Sequence, residues 1–320
     1  MYNDRLLNYK AIESQFDSKL LVYVTSDRRG METQIAQDVI VLFINHLDTI
    51  GAVKKISLYL YTRGGDTAAA WSIINLIKIY CDELEVIIPH KAHSAGTLIS
   101  IGANRIVMTK QATLGPIDPS INTPLNPVIN NGPNYPVSVE AVKGYIALAK
   151  EELGVDNDES LANILIKLSE EVHPLVLGQV YRTRAQIQML ARKLLASQVA
   201  EPEKTDRIIS FLCSDSGSHD YTINRREAKE ELGLNVFKPS EEQYKVIKEV
   251  YDDISRELEF SNAFDPRKLS GHYEMRRGIL ESVAGGSDVF VSEGTMSNVH
   301  APNGQLQIID ERVFDGWRHI

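Results

Sequence analysis

Cysteine is scarce: the 320 residues contain two, Cys81 and Cys213. They lie far apart, in no metal-ligand spacing, which excludes a disulfide-stapled scaffold and a zinc ribbon. Both are expected to be apolar thiols in a reducing compartment. No apolar run reaches the ~18 residues that cross a bilayer. The start, Met1-Tyr2-Asn3-Asp4-Arg5, lacks the basic and then apolar pattern of a leader. A cytoplasmic protein without a membrane partner is therefore predicted. No Gly-x-x-x-x-Gly-Lys-Ser/Thr segment is present, and Gly64-Gly65 has no third spaced glycine, so neither ATP nor NAD is expected. No His/Asp/Glu cluster has metal spacing, so no metal and no cofactor are expected. A net charge of −9 without a basic patch argues against nucleic acid. Long like-charge runs and internal repeats are also missing.

What is present is an ordinary globular composition, 43% hydrophobic and 24% charged, in a chain long enough for one large core or two smaller ones. Leu20–Val24 reads as a strand, Ile35–Leu47 as a helix, Ile56–Tyr61 as a strand, Trp71–Tyr80 as a helix and Leu84–Pro89 as a strand. This alternation predicts an α/β fold with a parallel sheet and crossover helices. Residues 121–136, rich in Asn and Pro, read as a long loop. Ser138–Leu153, Leu161–Val172 and Val180–Gln198 are expected to be helical, as is a short segment capped by Asn224 and ending at Gly233. Residues 1–18 read as a mobile or interface-forming N-terminal arm. Residues 19–237 form the main domain, and 238–320 a C-terminal extension of one helix and short strands.

Two segments carry chemistry. Thr62-Arg63-Gly64-Gly65-Asp66 follows one strand, and His93-Ser94-Ala95-Gly96-Thr97 follows the next and opens a buried helix. A serine at a helix N-terminus is flanked by free N–H groups and faces the positive end of the dipole. Glycines at the neighbouring strand end let a second amide approach the same point. A nucleophile between two backbone donors is what acyl transfer needs. Ser94 is the expected nucleophile, with the amides of Gly65 and Ala95 as the oxyanion hole and Gly64 shaping the turn. Read alone, Ser94 would be an N-cap; the pairing with Gly64-Gly65, combined with the family resemblance that follows, turns the reading toward catalysis.

The Gly64-Gly65 turn, the Ser94-Ala95-Gly96 elbow and Leu114-Gly115-Pro116-Ile117-Asp118-Pro119 together resemble the serine dehydrogenase proteinase family. That family is related to the Clp protease and signal peptide peptidase A on the Clp/crotonase fold. The similarity runs from about Leu20 to about Val236. It implies a serine peptidase, an insertion at about 121–172 and a long handle helix that builds contacts in a homo-oligomer. It also implies a peptide or unfolded protein as substrate, with a separate ATPase as a possible partner. The Clp protease places a histidine beyond its serine, where this chain reads Gly115-Pro116-Ile117-Asp118. The segment His219-Asp220-Tyr221 offers a replacement, with His219 as general base and Asp220 or Asp118 orienting it. Neighbouring side chains in extended chain point to opposite faces, so a turn is needed there. Lys143, near the spacing of lysine-dependent relatives, is the alternative base and requires desolvation. His173, before Pro174, reads as structural; His46, His90, His272, His300 and His319 have no constellation in the sequence. Arg182, Arg184 and Arg192 are expected to make salt bridges between helices or subunits. Arg63 is expected to touch substrate or cap its loop. A crotonase-like acyl-CoA enzyme and a catalytically inactive assembly module are the two competing readings.

Overall fold

The computed structural model describes residues 1–117, 120–128, 132–215, 220–300 and 306–320. The strands are β1 Lys19–Thr25, β2 Val53–Tyr61, β3 Cys81–Ile88, β4 Lys91–Ala92, β5 Arg105–Met108, β6 Thr113–Leu114, β7 Ser120–Ile121, β8 Val137–Ser138, β9 Ile223–Asn224, β10 Val236–Phe237, β11 Gly271–Ser282, β12 Gly286–His300 and β13 Leu306–His319. The helices are α1 Tyr2–Phe16, α2 Ile40–Ile50, α3 Thr67–Ile79, α4 Ala95–Ile101, α5 Val139–Ala147, α6 Asp158–Glu171, α7 Pro174–Leu195, α8 Pro202–Ser210, α9 Arg225–Glu230 and α10 Glu241–Glu257.

Eight strands form one sheet in the order β10-β5-β3-β2-β1-β11-β12-β13. The first five run parallel, as the strand–helix alternation predicts, and β11, β12 and β13 are antiparallel additions. Successive residues of the central strands serve opposite layers. Leu21, Tyr23, Leu58, Leu60, Val86 and Ile88 pack with α2, α3, α4 and α7. Leu20, Val22, Tyr59, Tyr61 and Ile87 pack with α1 and α10. A parallel strand covered on both faces reads as a continuous apolar run, and that is why these strands were visible in the sequence.

Two expectations are corrected. The N-terminal segment is a helix, not a mobile arm: Tyr9, Ile12 and Phe16 are buried against α10 and the sheet. The C-terminal strands are long, not short, and belong to the main sheet, where β11 pairs with β1 from Leu21↔Ser282 to Thr25↔Gly278. Paired along both edges, β11 and β12 gain a ladder that their polar and glycine-interrupted sequences do not advertise.

An ionic hub joins these additions. Arg5, 1% exposed, reaches Glu281 (2.6 Å), Glu257 (2.5 Å) and Asp253 (2.7 Å), and Tyr9 donates to the same Glu281. Burial pushes the Asp253 and Glu257 carboxyls up, but Arg5 outweighs it, aided by Arg276 at Glu257, and holds both below the usual carboxylate range. Breaking a buried pair from one side leaves charge uncompensated. Arg5→Leu is expected to cost about 3–5 kcal/mol in urea unfolding at pH 7. Carboxyls depressed in the folded state stabilise above their unfolded values of about 4, and lose that contribution as pH falls through the folded values. The Arg5→Leu penalty should therefore shrink as unfolding is measured from pH 5 down to pH 3.

Candidate active site

The site is built where β2 and β4 end. Thr62 bridges to Ala92 in parallel, so the Arg63-Gly64-Gly65 turn runs beside His93-Ser94. Ser94 is the N-cap of α4, at φ 51° and ψ −114°, and its side chain makes no capping bond. This is a sparsely populated conformation for any residue with a Cβ, costing of order 1–3 kcal/mol. The packing around it is close. A Cβ at Gly64 would stand 2.7 Å from Ser94 Cβ, and one at Gly96 would stand 2.5 Å from Thr62 Cγ2. Gly65, at φ 143°, has the Ile35 carbonyl 2.3 Å from where its Cβ would lie.

Buried hydroxyls fix the two loops. Thr25 donates to Thr62 Oγ1 (2.9 Å), and Thr62 Oγ1 accepts from the Gly64 amide (3.0 Å). Thr97 donates to the Ala92 and Gly115 carbonyls (2.9 and 2.8 Å). The Ile35 amide donates to the Gly64 carbonyl, and the Asp66 amide to the Ile35 carbonyl, both at 2.8 Å. Asp66 then caps α3 through the amides of Ala68 and Ala69. Sequence reasoning missed Thr62, Thr97 and the Ile35 backbone; threonines at strand ends carry no distinguishing local signal. Among the described residues, neither the Gly65 nor the Ala95 amide donates to another group of the protein, and Ser94 Oγ has no partner. Unused amides in a well-bonded region are uncommon and call for an explanation.

The expected bases are placed unequally. His219 and Asp118 lie outside the described residues. Asp220 is exposed, three residues before β9, which pairs antiparallel with β6; β6 in turn pairs with β4. That register runs the chain upstream of Ile223 toward Gly115, the glycine whose missing side chain leaves room for the His93 ring. His93 Nε2 is 2.9 Å from Thr113 Oγ1, committed to the small sheet. Lys143 lies on α5 with its side chain 40% exposed and Glu140 at 3.9 Å. That setting is not the apolar burial that a lysine base needs. His173 caps α7 by accepting from the Leu175 amide. Arg184 and Arg192 pair with Glu140 on α5 and Asp206 on α8. Arg63 faces Asp27 and Glu32, both at 3.4 Å.

A serine–histidine–aspartate chain does exist, but elsewhere. Ser282 Oγ is 2.8 Å from His46 Nδ1, and His46 Nε2 is 2.9 Å from Asp288 Oδ2. His319 Nδ1 holds the other Asp288 oxygen at 3.2 Å. His46 and His319 show no partners in the sequence because these groups meet only through long-range strand pairing. Ser282 is fully buried and its Oγ already accepts from the Gly285 amide (2.8 Å). No substrate reaches it, so the chain is a clasp that ties the β11–β12 turn to α2.

Two variants separate these roles. Ser94→Gly should unfold about 1–3 kcal/mol later than Ser94→Ala in urea, since only glycine relieves the positive φ. Ser282→Ala should lower stability by about 1–3 kcal/mol by leaving His46 Nδ1 and the Gly285 amide without their partner. It should leave Ser94 reactivity intact.

The family model described as ClpP-like SDH-type serine proteinase matches residues 47–262. Two uncharacterized proteins of Methanocaldococcus jannaschii are similar. One is 31% identical over 198 residues, 62% of this chain and 59% of the other. The second is 29% identical over 181 residues, 57% and 51%. The chain thus spans between half and three fifths of the length of these relatives. Among solved structures, a mutant of the 1510-N membrane-bound stomatin-specific protease has 16% identity and a TM-score of 0.40, covering 69% of this chain and 81% of that one. ClpP1 from Listeria monocytogenes has 15% identity and a TM-score of 0.38, covering 74% and 99%. Among the described residues no helix is long and apolar enough to cross a membrane. Matched by that family model over more than half its length, the chain belongs to the ClpP-like SDH-type serine proteinases.

Proposed function

We propose that the protein hydrolyses peptide bonds through an acyl-enzyme on Ser94. The observation that carries this reading is the strained Ser94 pressed against Gly64, with two undonated amides, Gly65 and Ala95, in the flanking chain. Ser94 Oγ attacks the scissile carbonyl carbon while its proton passes to His219. The carbonyl electron pair moves to the oxygen, which the Gly65 and Ala95 amides stabilise; one such donor is worth about 10²–10³ in turnover. The C–N bond then breaks as His219 returns the proton to the leaving amine. Water repeats the sequence in reverse and frees Ser94. Asp220 orients His219. Lys143, 40% exposed beside Glu140, lacks the burial that a lysine base needs, which favours His219.

The substrate in this reading is a peptide or unfolded protein, and folded substrates need a separate ATPase. Self-association sequesters the site. Its support is an apolar surface on the α5–α7 region, where Leu165, Ile166, Leu175 and Tyr181 are exposed, Tyr181 by 76%. Side chains of this kind are what an interface between subunits would cover.

A fluorophosphonate probe followed by peptide mapping tests the chemistry. Labelling is expected at Ser94, absent in Ser94→Ala and reduced about 10²-fold or more in His219→Ala. Lys143→Ala should label like the wild type. Loss of labelling in Lys143→Ala alone would move the base to lysine, and no labelling of folded protein would count against an activated serine.

A further inference from the structure

A cavity of about 360 Å³ opens between the 32–38 segment and the C-terminal strands. Its wall touches the candidate oxyanion loop: Gln34, which lines it, has its Cβ 3.0 Å from where a Gly65 Cβ would stand. Its floor is Gly278. A Cβ there would sit 3.3 Å from Phe290 Cβ and 3.4 Å from Trp317 Cη2, so glycine leaves the aromatic surface open. The Phe290 and Trp317 rings meet edge to face at 5.6 Å.

The charges around this cavity are not equivalent. Arg277 is committed to the Met31 and Glu32 carbonyls and to Ser292 Oγ. Glu32 faces Arg63, and Asp315 faces Arg277 and Arg312. Asp38 differs: its Oδ2 accepts from the Trp317 indole N–H at 3.1 Å, and among the described residues no cation pairs with it. A cavity with an aromatic wall and an uncompensated carboxylate at its mouth fits a long aliphatic side chain ending in a cation. Its stem would lie on Phe290 and Trp317, and its head would reach Asp38. The volume is near the lower end of ligand sites and suits one such side chain.

We propose that this cavity is a specificity subsite for a lysine or arginine side chain of the peptide, with Asp38 as its determinant. The proposal rests on the peptidase reading, and the test separates the two. Mixed peptide libraries are digested by wild type, Asp38→Asn and Asp38→Lys, and the cleavage sites are mapped by mass spectrometry. The expected result is enrichment of Lys and Arg at one fixed position from the scissile bond. It should fall roughly tenfold in Asp38→Asn and turn toward Asp and Glu in Asp38→Lys, with cleavage of non-basic peptides retained. Cleavage without that enrichment, or enrichment untouched by Asp38→Asn, overturns the subsite. If wild type cleaves nothing, the peptidase reading fails and binding decides alone. Trp71→Phe/Ser94→Ala leaves Trp317 as the sole indole. A lysine-rich peptide should then shift its fluorescence at concentrations at least about tenfold lower than the norleucine analogue. Equal response to both overturns the proposal.

Discussion

The close approach of Gly64 to Ser94 is the constraint on which the site depends. With 2.7 Å between Ser94 Cβ and the position a Gly64 Cβ would occupy, no side chain can stand at residue 64. The serine stands against the turn with a positive φ of 51°. Folding supplies the energy for that strain through the buried helix α4, where every residue from Ala95 to Ile101 is covered. A relaxed serine would serve equally well as an N-cap, as it does at Ser240, where the hydroxyl accepts from the Gln243 amide. Ser94 makes no such bond. Strain at a residue whose polar atom is left unused is the ground on which Ser94 is proposed as a nucleophile and not only as a helix start.

The C-terminal strands buttress the same place. Arg277 on β11 is held to the chain just after β1: its carbonyl accepts from the Ser26 amide and from Thr33 Oγ1, and its guanidinium donates to the Met31 and Glu32 carbonyls. Two residues beyond Thr33, Ile35 pairs with Gly64 and Asp66. Position is thus transmitted from β11 through residues 26–35 to the glycine turn. The Arg5–Glu281 hub and the His46–Asp288 clasp fix the far end of β11 against α1 and α2. The tail is therefore part of the scaffold that sets the site.

Much of this was legible from residues, and the rest was not, for identifiable reasons. The parallel core was visible because strands covered on both faces are apolar at every position, as in Leu20–Val24 and Leu58–Tyr61. Ser94 and Gly64-Gly65 were visible because backbone chemistry at strand ends demands particular residue types. The long strands β11–β13 were hidden, since half-exposed strands with Gly278, Gly294 and Gly316 show little alternation. The helix α1 was hidden because its buried set includes Arg5, which reads as a surface residue until Glu281, 276 positions away, supplies its partner. Asp38 and Trp317 meet across 279 positions and could not be paired from the sequence.

The central claim is that Ser94 reacts between the Gly65 and Ala95 amides, and a crystal structure with a peptide boronate tests it most directly. The account predicts a covalent bond from Ser94 Oγ to boron, with one boronate oxygen about 2.7–3.1 Å from both amide nitrogens. An adduct whose oxygens reach neither amide, or a boronate that leaves Ser94 unmodified while the protein is folded, would contradict it.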